Sequence, residues 1–236
     1  MNLPLIDIRK EEWDTLVILD ACRYDMFKKI IYPHFEGELK EVMSGGVCTE
    51  QWISKQLCNK DFMDTYCITG NPWYGTPKKI PYSKGCNLLF KGIDHVWKDG
   101  WDKKLPYRGT VHPKTMLERL EQHIEEEKIL IHFMQPHAPF LLNDRYYRKL
   151  PYIKKPGDIF VWDIARQKRN KLDIVVWGYY KNLKIMLPYI RTLLKMREGR
   201  TIISSDHGNM LEGKKIGHGK GWPKENQIVP WFIVGG

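Results

Sequence analysis

The segment TIISSDHGNM, residues 201–210, ends an apolar, β-branched run on an aspartate and a histidine. Comparable run ends occur elsewhere in the chain. LVILDACRYD brings Asp20 to the end of an apolar run, SGGVCTEQW offers Ser44, Cys48 and Thr49, and ILIHFMQPHAPF leads into Gln135 and His137. Carboxylates and imidazoles, joined by a hydroxyl, form a donor set suited to a divalent cation such as Zn2+ or Mn2+. A hydroxyl held at such an ion becomes a nucleophile at neutral pH. Each piece also has a plain structural use: Asp20 as the cap of a helix starting at Ala21, Thr49 as the cap of EQWISKQL, His137 as a loop histidine. Their joint occurrence favours chemistry. His34, His95, His112 and His123 are given no role, and His132, inside an apolar strand, is read as a satisfied core residue, with support of the site from below as the lesser alternative.

These groups converge only if the right elements carry them. Short apolar runs predict strands at Thr15–Leu19, Leu39–Met43, Thr65–Ile68, Lys128–Met134, Arg200–Ser204 and Val229–Val234, all read as buried on both faces. PKTMLERLEQHIEEE, residues 113–127, predicts an amphipathic helix with Pro at its first position, and a longer helix is expected from about Leu172 to Met196, kinked or split at Pro188. Alternation of this kind predicts an α/β fold: a mainly parallel central sheet with helices on both faces. Ligands of such sheets bind beyond the carboxyl ends of the strands, where Asp20, the Ser44–Thr49 segment, His137, Asp206 and His207 fall. The chain reads as a single domain, 1–236, with two excursions. One, at about 70–110, is rich in Gly, Pro and aromatic residues; the other, 145–171, carries nine basic residues against Asp158 and Asp163, interleaved with Tyr146, Tyr147, Tyr152, Phe160 and Trp162.

At 236 residues with 38 Lys and Arg against 28 Asp and Glu, the chain has a formal charge of +10, so anionic partners are expected: a small-molecule or polymeric ester, with nucleic acid possible but not favoured. Five cysteines without a C-x-x-C pair suit reduced thiols in a cytosol. The amino terminus has no signal-peptide pattern and no run reaches a membrane span, so a cytoplasmic protein is expected.

LVILDACRYD, HFMQPHAPF, TIISSDHGN and GHGKGWPKENQIVPWFIV, in this order, resemble the alkaline phosphatase and sulfatase superfamily along almost the whole chain. The resemblance implies an alkaline-phosphatase-like fold and a metal-dependent hydrolase or transferase acting on phosphate mono- or diesters. It also implies Asp20, Asp206 and His207 at the catalytic metal, the nucleophile, itself at the metal, in the segment after the second strand, His218 at a second metal or the substrate anion, and His137 near the substrate. Lys220 joins them as a basic contact for the transferring group. No convincing Asp-x-x-x-His follows, which favours one ion. Neither CTEQW nor CRYDM matches the C-x-P-x-R or C-x-A-x-R of dedicated sulfatases, which lowers sulfate-ester hydrolysis. A non-catalytic basic protein binding anions or nucleic acid on the same scaffold is the alternative from another class. Among the hydroxyls and thiols after the second strand, Ser44 adjoins Gly45-Gly46 and shapes a turn, whereas Thr49 adjoins a helix start, where free N–H groups favour an oxyanion. Thr49 is therefore the expected nucleophile.

Overall fold

In the computed structural model, described over residues 3–76, 79, 82, 85–102, 109–150, 161–212 and 216–236, the all-buried run Thr15–Leu19 forms β1 at the middle of the sheet. Its neighbours are β7 (Lys128–Phe133) and β8 (Thr201–Ser204), both parallel to it, with Ile18 opposite His132 and Ser204. Beyond β7 lie β3 (Asp61–Thr69) and β4 (Leu89–His95), again parallel. Beyond β8 lie β9 (Ile228–Val234), antiparallel, and β2 (Glu38–Met43). The order is β2-β9-β8-β1-β7-β3-β4, so β9 is the single reversed strand of a seven-stranded sheet. The expected α/β architecture is the one observed.

The period of two sorts each central strand between two cores. Val17 and Leu19 of β1, with Ile129, Ile131 and Phe133 of β7, face α1 (Tyr24–Ile30), α3 (Pro113–Gln122), α5 (Val161–Gln167) and α6 (Leu172–Met196). Leu16, Ile18 and Leu130 face the opposite side, with Trp52 and Ile53 of α2 (Thr49–Gln56). α6 buries Val175, Tyr179, Leu183, Met186, Ile190 and Leu193, a stripe at helical spacing. Pro188 does not split it: the helix is one element of 25 residues. α3 ends at Gln122 rather than at 127; Pro113 opens it and the His112 side chain accepts from the Lys114 N–H at 3.1 Å.

Three expectations need correction. β2 is an edge strand with Glu38, Lys40 and Glu41 exposed, so it is not buried on both faces. β4 falls inside the stretch read as an excursion; with Lys91, Gly92 and Asp94 breaking its apolar run, it shows no clear period. A short hairpin of β5 (Trp101–Asp102) and β6 (Thr110–Val111) lies in the same stretch. Cys58 and Cys86 form a disulfide, against the reading of five reduced thiols; Cys22, Cys48 and Cys67 are free and buried. The pair lies 28 residues apart with no local motif, and it is the return of the chain from α2 to β4 that brings the two sulfurs together.

Candidate active site

Asp20 follows β1 and Asp206 follows β8, so adjacent parallel strands deliver two buried carboxylates side by side. The turn after β1 places Ala21 at φ 61°, which aims its N–H at Asp206 Oδ1, 3.0 Å away; the His207 N–H reaches the same oxygen at 2.9 Å. Ser205 braces the two strand ends: its hydroxyl donates to the Leu19 carbonyl at 2.5 Å and accepts from the Cys22 N–H at 2.8 Å. Asp206 Oδ2 is left to face inward.

The turn from β2 to α2 supplies the hydroxyl. Ser44 Oγ donates to the Asp206 carbonyl at 2.7 Å and so ties the turn to β8. Gly46 lies where an added Cβ would sit 2.6–2.8 Å from the backbone and Cβ of Trp52, so only glycine lets the turn press this closely on α2. Cys48, not Thr49, is the cap residue of α2. Thr49 is the first helical residue, and its Oγ1 donates to Asp206 Oδ2 at 2.7 Å, with His207 Nε2 at 3.5 Å. His207 Nε2 in turn stands 3.7 Å from Asp20 Oδ1 and 3.5 Å from Asp206 Oδ2. Its Nδ1 donates to the Gly208 carbonyl at 2.8 Å, which leaves a lone pair on Nε2. The expected set Asp20, Thr49, Asp206 and His207 is thus assembled within a few ångströms.

Burial with the neighbouring Asp206 charge pushes the Asp20 carboxyl well up, although the Asn71 amide donates to its Oδ2 at 2.7 Å. Burial also opposes ionisation of Asp206, but the imidazoles of His207 and His132 and the Thr49 hydroxyl outweigh it and hold Asp206 below its usual value. Among the described residues, Asp20 Oδ1 and His132 Nε2 are buried without a hydrogen-bond partner. Two carboxylates, the lone pair of His207 and unpartnered buried polar atoms fit a bound divalent cation; Asp20, His132 and Asp206 each offer one ligand atom within 4.8 Å of the others.

A cavity of about 450 Å³ opens over these groups, lined by Asp20, Cys48, Thr49, Glu50, Asn71, Trp73, Trp101, His137 and His218. The 70–110 stretch therefore supplies part of its wall. His137 and His218 stand face to tilted face at 5.1 Å, and His218 lies 4.4 Å from His207. His218 Nδ1 donates to Asn209 Oδ1 at 2.6 Å and His137 Nδ1 to the Ala138 carbonyl. Burial brings His137 down to about 4 and His218 well below its usual value, so both are neutral at pH 7 with Nε2 as acceptor. Lys220 is exposed and next in the chain to Gly219, which lines the cavity; its Nζ lies 5.9 Å over the Tyr82 ring, whose hydroxyl meets Cys48 Sγ at 3.8 Å.

No protein-family model matches the sequence, and no curated protein matches it either. Solved structures do match its fold. The C-terminal periplasmic domain of EcEptC from Escherichia coli, in complex with Zn, superposes with a TM-score of 0.56 at 13% identity over 100% of this chain and 77% of that one. The soluble domain of lipooligosaccharide phosphoethanolamine transferase A from Neisseria meningitidis gives 0.55 at 12% identity, over 98% and 82%. A protein in the alkaline phosphatase superfamily from Vibrio parahaemolyticus gives 0.50 at 11%, over 99% and 62%. The chain has the alkaline phosphatase superfamily fold.

For a chain with that superfamily fold, several positions carry more than the sequence announced. His132 was read first as a satisfied core residue and only second as a support of the site from below; among the described residues its Nε2 has no hydrogen-bond partner and stands 3.8 and 3.9 Å from the two carboxylates. Asn71, which steadies Asp20, was missed because β3 was ended at Ile68 rather than Thr69; carried one residue further, the strand-end rule points to it. Asn209, two residues beyond His207, orients His218. In the stretch 145–171 the described aromatic residues are structural, while Arg145, Arg148, Lys149, Arg166, Lys168 and Arg169 are exposed. Tyr146 and Tyr147 of α4 (Asp144–Arg148) and Trp162 of α5 are buried core, so they offer no open face for stacking bases. Tyr152 and Phe160 lie outside the described residues. Arg23 forks onto Asp25 at 2.8 Å and donates to the Asn209 carbonyl at 2.7 Å, a structural use.

Proposed function

We propose that this chain is a metal-dependent enzyme that hydrolyses or transfers phosphate esters through a covalent Thr49 intermediate. The observation that carries the reading is the Thr49 hydroxyl. It lies at the start of α2, donating at 2.7 Å to a buried carboxylate and 3.5 Å from an imidazole with a free lone pair, beneath an open cavity. The matched structures include a phosphoethanolamine transferase domain and a domain solved with zinc, which supports phosphoryl chemistry and a cation for this fold.

Asp20, Asp206, His207 and Thr49 would hold the ion, zinc or manganese by donor type, with one ion favoured. When bound, such a cation lowers the pKa of the coordinated hydroxyl and neutralises charge on the phosphoryl oxygens. The chain's own groups do the rest. Asp206 draws on the Thr49 proton as Oγ1 attacks phosphorus, and the bond from phosphorus to the leaving oxygen breaks, that oxygen taking a proton from solvent. The first-turn N–H groups of α2 receive a phosphoryl oxygen. His137 and His218, neutral with Nε2 as acceptor, take the proton of the water or alcohol that then attacks phosphorus and releases Thr49. Lys220 is assigned to the cavity rim as a contact for the anionic substrate. Cys48 is unsuited to the nucleophile's role, since burial pushes its thiol up to about 11.

We assign residues 1–236 to one catalytic unit acting on anionic esters, small or polymeric. Among the described residues no helix is long and apolar enough to cross a membrane. The Cys58–Cys86 bridge favours an oxidising compartment over the cytosol expected from the cysteine pattern. The test is a metal-supplemented screen of phosphate monoesters, diesters and sulfate esters, followed by acid quench and mass mapping of the labelled residue. A phosphoryl group on Thr49, absent from Thr49→Ala together with at least a thousandfold of turnover, is the expected result. Label on Ser44 or Cys48, or near-normal turnover in Thr49→Ala, refutes the assignment.

A further inference from the structure

His132 is the buried imidazole that the reaction above leaves unused. It lies in the interior of β7 with no exposed surface, opposite Ile18 in the β1 register. Trp52 and Tyr74 meet its ring edge-on, at centroid distances of 5.9 and 5.5 Å, and the Tyr74 hydroxyl is 3.0 Å from Nδ1. The ring is therefore fixed in plane and at one nitrogen. The other nitrogen, Nε2, has no hydrogen-bond partner among the described residues and stands 3.8 Å from Asp20 Oδ2 and 3.9 Å from Asp206 Oδ2.

Those distances are too long for hydrogen bonds. They match another arrangement: two donors each about 2.0–2.2 Å from one zinc ion stand roughly 3–4 Å apart. His207 Nε2, the expected ligand, keeps the same spacing from the same carboxylates, 3.7 and 3.5 Å. Asp206 Oδ2 is common to both imidazoles, with Thr49 Oγ1 at 2.7 Å.

We propose that His132 is a further ligand of the cation, reaching it from the sheet, and that the Tyr74 hydroxyl positions it by accepting from Nδ1–H. The inference rests on the metal-enzyme reading above. It changes the donor set from one imidazole to two, beside two carboxylates and a hydroxyl. Imidazole-rich sets favour zinc and cobalt over magnesium and manganese, so the inference also specifies the ion: Zn2+ is held well ahead of Mn2+. The competing use of His132 is packing alone, with Tyr74 donating to Nδ1 and the proton on Nε2; in that state the nitrogen has no lone pair to give.

The experiment strips the full chain with a chelator and titrates it with Zn2+ against a chromophoric competitor, then with Co2+ while recording the visible d–d absorption. His132→Leu keeps the apolar volume and removes the donor; it should weaken Zn2+ binding at least about a hundredfold and shift the Co2+ bands. Tyr74→Phe keeps the donor and removes its support, and a loss of about tenfold is expected, the usual scale for outer partners of a ligating histidine. Zn2+ affinity within threefold of the parent in His132→Leu, with an unchanged Co2+ spectrum, overturns the inference while leaving the metal-enzyme reading standing. If His132→Leu does not fold, Tyr74→Phe decides: an unchanged affinity and spectrum there overturns it. A parent chain that takes up no Zn2+ or Co2+ overturns the metal-enzyme reading and this inference with it.

Discussion

A buried carboxylate that must stay ionised needs partners, and Asp206 has them from four directions: the Ala21 and His207 N–H groups, the Thr49 hydroxyl and the imidazoles beside it. Asp206→Asn keeps the shape and removes the charge. The variant should fold, lose stoichiometric metal and lose turnover together; full occupancy by elemental analysis would show that the ion is held elsewhere. Asp20 makes the site pH-sensitive. Its folded carboxyl titrates well above the ordinary 3.8, so its share of the stability of the stripped protein is complete below that value and is lost as pH rises through the raised one. His132 and His137, brought down to about 4, act oppositely, contributing fully above their unfolded value and losing that as pH falls toward 4. A cation held by Asp20, as proposed, would have to displace its proton, so its stabilisation should increase with pH. The Tm difference between zinc-loaded and stripped protein should widen from pH 5 to pH 7.5; a flat or narrowing difference would contradict it. At this scale the sequence was informative for groups at the ends of runs. Asp20, Asp206 and His207 were visible because a polar residue after a buried strand stands out, and Thr49 because it adjoins a helix start. His132 was legible only as the lesser of two readings and Tyr74 not at all, since their pairing depends on β7 and the segment after β3 meeting in space, which no local pattern encodes.

The elements divide along the same line. β1, β7, β8 and β9 were legible because burial on both faces demands continuous apolar runs. β4 was not: at the sheet edge, partner strands rather than side-chain pattern define it, and Gly92 is there because an added Cβ would meet the Tyr66 ring at 2.4 Å. Pro188 sits within α6 because the helix is held along its length by core contacts, which override a local penalty. The disulfide fastens this less legible half of the sheet. Cys58 follows α2 and Cys86 precedes β4, with 28 residues of separation. Closing a loop of that length removes unfolded-chain entropy worth about 3–4 kcal/mol at 25 °C. For a domain of this size that corresponds to roughly 7–14 °C in Tm. Replacing both cysteines by serine should lower Tm by that order, and adding reductant should lower the parent toward the same value. A double-serine protein melting with the parent, or a parent indifferent to reductant, would mean that the bridge is not formed in solution.

The chain as a whole carries ten positive charges in excess, yet its cavity is lined by the carboxylates of Asp20 and Glu50. The two features are compatible because they act over different ranges. Buried Asp20 and Asp206 act on what touches them, whereas surface Lys and Arg set the potential that an anion meets on approach. The basic residues at the end of the 145–171 stretch differ in what they touch. Arg166 donates to the Ile216 carbonyl at 2.9 Å and lies 5.8 Å over the Trp222 ring, so it holds the loop that carries His218. Lys168 and Arg169 are exposed just beyond α5. Lys168→Gln/Arg169→Gln should raise KM for a polyanionic ester severalfold at low salt and flatten its dependence on ionic strength, with kcat unchanged, because screened charges at a distance affect encounter rather than the reacting atoms. Arg166→Gln, by contrast, should lower kcat by displacing His218, and salt should not restore it. Steady-state kinetics from 20 to 300 mM salt on one monoanionic and one polyanionic substrate separate the two effects. Identical salt slopes for the parent and the double variant would show that these charges are only a solvated surface.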